Sequence, residues 1–305
     1  MTIRKGIQEI WHGTESGLVI PNGTVSDLSR SSSQTYLVIK EKACAIEELY
    51  SENGVPLPPN CDLALLIEDA KTLSDSWLLN RIDGLPMSLL FRVACLDRIA
   101  EAILPLRKVP NRAKFLTALT TGSLDLLQRE RSSAKNILWE VELWAVLKRR
   151  SFSANLCEPP DVVVDFEDAK VGIACKKLYS EKHVQNVLSE AVGQIEASFD
   201  FGIVAINLDD LVPANQILRT PNQRMMGEFI NALNVKFLHR HERHFRKYLA
   251  SGRMLSALLS ASVLADVYAE STRFNNARQV TIWTIPGLPK EKKKQLSRFY
   301  EKLMY

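Results

Sequence analysis

The apolar positions along this chain change their spacing twice, to a helical period near Cys61 and to short β-type runs after Ser151. Residues 1–35 are rich in Gly, Ser and Thr and predict a loosely structured lead-in with room for one short strand. Tyr36 to Ile39 alternates weakly, which predicts a strand. A turn-rich break follows at Gly54-Val-Pro-Leu-Pro-Pro-Asn60, where each proline fixes φ and removes a backbone donor.

From Cys61 to about Arg150 the pattern is helical. Leu63, Leu66, Ile67 and Ala70 mark one apolar face, and Leu89, Leu90, Val93, Leu96 and Ala100 mark another. Pro86, Pro105 and Pro110 divide these into separate helices, with two more predicted over Arg112–Gln128 and Ser132–Arg150. Stripes of this kind are first of all core surfaces.

Beyond Ser151, Asp161–Glu167 and Val171–Leu178 are β-branched, apolar and of hairpin length, joined by Asp168-Ala-Lys170. Glu181–Ser198 predicts a helix with Val184, Val187, Leu188, Ala191 and Ile195 inward. Gly202–Leu208 predicts a buried strand, Met225–Leu249 a helix and Val280–Ile285 a strand. Met254–Tyr268 fits a helix by its Ala and Leu content and a long strand by its position; both readings stay open. Lys290–Tyr305 predicts a basic helix. The expected architecture is a mainly helical N-terminal region over residues 1–130, followed by an α/β domain with a mixed sheet over 131–305.

Composition narrows the class without choosing a function. With 46% hydrophobic and 24% charged residues the chain has enough apolar surface for a core, which excludes a disordered chain. A net charge of +4 permits nucleic-acid binding without requiring it. Five scattered cysteines without a CxxC pair predict reduced thiols. The polar N-terminus lacks a signal-peptide core and no apolar run spans a bilayer, so the expectation is a cytoplasmic protein without a membrane partner. No GxxxxGK[ST], GxGxxG or GxSxG occurs, which disfavours P-loop, dinucleotide and serine-hydrolase chemistry.

The stretch from Pro160 to Leu178 carries the chemistry. An acid, Asp161, opens one short strand and a lysine, Lys176, closes the next. Strand alternation puts Asp161, Val163 and Asp165 on one face, and Ala174 with Lys176 on one face of the second strand. A hairpin in the expected register brings Asp161 and Lys176 together. Carboxylates that hold a divalent metal, beside a lysine that polarises water or phosphate, suit phosphodiester hydrolysis.

These residues resemble the core of the PD-(D/E)XK, restriction-endonuclease-like nuclease superfamily, over about Lys135 to Leu208. Pro160-Asp161 resembles its PD signature, and Ile173-Ala-Cys-Lys176 the strand written as acid, any residue, lysine. Trp139-Glu140-Val-Glu142 resembles the leading helix, with Glu140 the better match and Glu142 the second. Gln194 stands where many relatives place a helical glutamine. The resemblance implies an αβββαβ core and a nuclease acting on DNA. Asp161 and Glu140 would hold Mg²⁺ (or Mn²⁺), Lys176 would stabilise the attacking water or phosphate, and Gln194 would assist. One departure stands out: Ala174 occupies the position of the second acid. Asp165 or Glu140 could compensate; Cys175 faces away, and a soft thiolate suits Mg²⁺ poorly. The alternative is a catalytically impaired nuclease fold serving as a nucleic-acid-binding or interaction subunit.

Each residue also has a plainer reading. Asp161 can cap a turn after Pro160, Lys176 can be an edge charge, and Glu140, Glu142 and Gln194 can be helix-surface residues. Further on, Arg240, Arg243, Arg246 and Lys247 recur at helical spacing and are candidate phosphate contacts, or simply a solvated face. His241 and His244 lack the context of a metal motif. A homo-oligomer or a protein partner held through the helical N-terminal region is a further expectation.

Overall fold

The computed structural model describes residues 12–14, 17–25, 32–79, 81, 84–195, 198–213, 216–269 and 275–304. Five helices come first: α1 (Ser32–Glu52), α2 (Asp62–Leu78), α3 (Met87–Ile103), α4 (Arg112–Leu119) and α5 (Ser133–Arg149). Tyr36–Ile39 is therefore helical, not a strand. Ile39, Ala43, Ile46, Leu49 and Tyr50 form a buried stripe at helical spacing, and residues 36–39 are one turn of the helix that carries it. The helix expected over Arg112–Gln128 ends at Leu119. Gly122 then adopts φ +108°, and the Asp62 carboxylate accepts hydrogen bonds from Ser123 Oγ, Leu124 N and Asp125 N, which holds the chain in turns.

Among the described residues, nine strands form one mixed sheet: β1 (His12–Thr14), β2 (Gly17–Val25), β3 (Ser153–Leu156), β4 (Val162–Phe166), β5 (Ala169–Lys177), β6 (Phe201–Asn207), β7 (Ile217–Thr220), β8 (Ser256–Val267) and β9 (Asn275–Thr284). Their order is β1-β2-β9-β8-β6-β5-β4-β3, with β7 pairing the far half of β8. The β5/β6, β6/β8 and β7/β8 pairs are parallel and the rest antiparallel. The ambiguous run 254–268 is thus a strand, and the lead-in contributes β2, which pairs with β9 from Ala277 to Thr284. Three more helices follow β5: α6 (Val184–Ile195), α7 (Gln223–Ala250) and α8 (Lys290–Met304). Among the described residues no helix is long and apolar enough to cross a membrane.

The sheet is a middle layer. On one face a single hydrophobic core runs from Ile39 in α1 through α2–α5 to Leu303 in α8. On the other, Ala174, Val204 and Ile206 pack beneath α6 and α7 through Leu188, Ala191, Phe237 and Phe245. All seven residues of β6 are buried, as expected for a parallel strand covered on both sides.

Candidate active site

Strand pairing decides which side chains meet. Val162 faces Ile173 across β4 and β5, so Asp161, one residue before β4, falls opposite Ala174. The Asp161 carboxylate accepts a hydrogen bond from the Cys175 backbone N–H at 2.5 Å, and Cys157 N–H donates to the Asp161 carbonyl at 3.0 Å. Asp161 is buried, and burial raises its pKa against the opposing pull of the Cys175 N–H and the Lys176 ammonium.

Glu140 reaches the same corner from α5. Burial, and then the negative charges of Asp161 and Glu158, push its carboxyl up to about 8, while Lys176 and Lys114 partly offset them. Two acids and a lysine therefore act on one another here, from a helix and two strands. Glu142 is engaged elsewhere. It is buried between Arg98 and Arg278, which hold its carboxyl below the usual range despite the cost of burial.

Alternation separates the two lysines at the end of β5. Lys177 lies in a buried ion pair with Asp210 at 2.5 Å and bonds Asn207. Lys176 donates to Glu190 Oε1 of α6 at 2.6 Å. Gln194 stands one turn beyond Glu190, and its side-chain carbonyl oxygen is buried with no hydrogen-bond partner among the described residues. Cys175 packs into the opposite core, where burial drives its thiol pKa well up. Asp165 is exposed and faces Lys170 and Ser153, near the far end of β4 from Asp161.

Glu190 is the residue that sequence reasoning passed over. Its signal was available: it stands four residues before Gln194, on the same face of a predicted helix. Its pairing with Lys176 was not readable from spacing. Among the described residues, no group of three or more His, Cys, Asp or Glu side chains converges in a way that could hold a metal ion. The carboxylates of this corner act as a pair, Asp161 and Glu140, with Glu190 on the lysine.

The basic positions of α7 lie close by and are partly engaged. Arg240 makes two bonds to Glu181, at 2.9 and 2.6 Å, and His241 a third at 2.7 Å, tying α7 to the turn before α6. Arg246 pairs with Glu242 one turn back, and the Lys247 ammonium sits 5.4 Å from the Tyr248 ring centroid. Arg243 is exposed. In comparisons with known proteins, the chain matched no family model, no curated protein and no solved structure.

Proposed function

We propose that this chain is a metal-dependent nuclease of the PD-(D/E)XK kind, in which Asp161 and Glu140 would hold the metal without the acid missing at Ala174 and Glu190 of α6 orients Lys176. The observation that carries the reading is the Lys176–Glu190 pair beside Ala174, with the Asp161 carboxylate bonded to the intervening Cys175 N–H. The element run α5-β3-β4-β5-α6-β6, with β5 and β6 parallel, supports an αβββαβ core.

The donor set fits a hard cation. Asp161 and Glu140 offer only oxygen, burial keeps the Cys175 thiol protonated, and Mg²⁺ is commonly bound by one or two carboxylates with waters and substrate phosphates. A bound Mg²⁺ or Mn²⁺ would supply charge neutralisation at phosphorus and a more acidic water. The chain's own groups do the rest. Glu140, its carboxyl pushed up to about 8, would hold the cation in its deprotonated form, as a carboxylate. Asp161 is fixed by the strand backbone, Glu190 aims the Lys176 ammonium, and the Gln194 oxygen accepts a hydrogen bond from water or substrate. DNA is the substrate class we favour, with Arg243 and its neighbours on α7 tracking phosphates.

The test is incubation of plasmid and single-stranded DNA with Mg²⁺, Mn²⁺ or EDTA. The wild-type protein should cut with either metal and not in EDTA. Asp161→Asn and Lys176→Met should abolish cleavage, and Glu190→Gln should lower it about 10- to 100-fold, as loss of an orienting partner does. Full cleavage by Asp161→Asn overturns the reading. That no third metal-ligating side chain converges among the described residues favours one alternative, a nucleic-acid-binding or interaction subunit that no longer cuts. Salt-sensitive DNA binding without cleavage in any metal would select it.

A further inference from the structure

Beside the candidate centre, at the C-terminal end of β5, the surface opens into a cavity of about 230 Å³ lined by Arg131, Lys177, Tyr179, Ser180, His183 and Val187 among others. We infer that this cavity binds a phosphate of the nucleic-acid strand next to the one being cut. The inference rests on the nuclease reading for its substrate class, and it adds where the strand runs.

Position comes first. Val187 lines the cavity from α6, and Glu190 and Gln194 follow on the same helix face. Three residues of helix advance ~4.5 Å, so the Val187 wall of the cavity lies about one turn along α6 from the Glu190 that holds Lys176. Successive phosphates of one strand advance ~3.4 Å along a helix axis and lie farther apart through space, a separation on the order of one turn of α-helix. A strand with one phosphate at Lys176 therefore has its neighbour at the cavity mouth.

Charge comes second. Lys177 is neutralised by Asp210, the Tyr179 hydroxyl is engaged by Ser132 O and the Asn136 side chain, and Ser180 Oγ accepts from Lys182 N–H. Glu181, between the lining residues Ser180 and His183 in sequence, is taken by Arg240 and His241, which hold its carboxyl below the usual range. Arg131 and His183 are exposed on the lining and in no ion pair among the described residues, so they dominate the opening. Arg131 presents a planar fork suited to two phosphate oxygens. The Arg240–Glu181 link joins the cavity to the basic face of α7, which continues the track.

The experiment measures binding of a fluorescent 20-nucleotide DNA, single-stranded and duplex, by anisotropy in EDTA across a salt series. Arg131→Gln should weaken binding about 3- to 10-fold at low salt and reduce the slope of log Kd against log salt by about one phosphate contact. Arg131→Glu should weaken it further, and Lys108→Gln, at an exposed lysine that does not line the cavity, should change neither. Unchanged affinity and slope in both Arg131 variants overturn the inference, as does a wild-type protein that binds no DNA. The two readings separate cleanly. If the wild type cuts but the Arg131 variants bind normally, the cavity assignment falls alone; if it never cuts but the Arg131 effect appears, the cavity assignment stands and the nuclease reading falls.

Discussion

Glu140 keeps a proton that the unfolded chain would release. Its carboxyl titrates near 4.5 when solvated and near 8 in the fold, so folding takes up a proton between those values. Stability is then highest below the lower value and falls as pH rises through the window; Asp161, raised in the same direction, adds to the loss. In EDTA, the melting temperature should fall between about pH 5 and 8. Glu140→Gln, which keeps the shape without the charge, should flatten the fall and gain ~1–3 kcal/mol over wild type at pH 8.5. A gap between the two proteins that does not vary with pH would refute this account. Here the sequence was only half legible. Glu140 and Glu142 are one turn-half apart on α5, and the choice between them depends on Arg98 and Arg278, which lie 42 and 138 residues away in sequence from Glu140 and whose approach no local pattern encodes.

At the scale of elements, α6 sets the candidate site because β5 and β6 let it come close. Gly172 and Gly202 face each other across the parallel pair. A Cβ on Gly202 would lie 2.5 Å from Ile195 Cδ1 and 3.0 Å from Ile195 Cβ, and one on Gly172 would lie 2.5 Å from the Phe199 ring. Ile195 is buried at the end of the helix that carries Glu190 and Gln194. Gly202→Ala should therefore cost ~1–3 kcal/mol in urea unfolding, as overpacking does. It should also lower cleavage beyond what the remaining folded fraction explains, since the Lys176–Glu190 contact depends on the seat of α6. An alanine variant as stable as wild type would show that the helix sits more loosely than this packing implies. Helix α6 and both strands were readable from their apolar spacing. The glycines were not, because close approach is a property of two elements together.

For the whole molecule, a buried charge network joins the helical N-terminal region to the sheet. Arg98 of α3 pairs with Glu142 of α5 and with Asp209 beyond β6, while Arg278 of β9 closes the group on Glu142. Asp209 also bonds Asn207 and the Ser262 N–H of β8, and its carboxyl is held far below the usual range against the cost of burial, chiefly by Arg98. Removing one partner leaves buried charges unpaired, so Arg98→Met should destabilise the fold by ~3–5 kcal/mol. Because the hydrophobic core is continuous from α1 to α8, helical and tertiary signals should be lost in one coincident transition. Two separate transitions would show that the regions fold independently.

The linear order of residues was enough to locate most helices and strands, because helical and β periods are local consequences of which side chains must be covered. It was also enough to put an aspartate and a lysine on neighbouring strands. It misread Tyr36–Ile39, where four residues are too few to separate one turn of helix from a strand, and left 254–268 undecided, where apolar content serves either. What only the tertiary structure decided was partnership: Glu190 on Lys176, Glu142 withdrawn into the Arg98 network, β2 laid along β9. These pairings join residues 14 to more than 250 positions apart, and their energies depend on burial and distance in space, which a one-dimensional pattern does not contain.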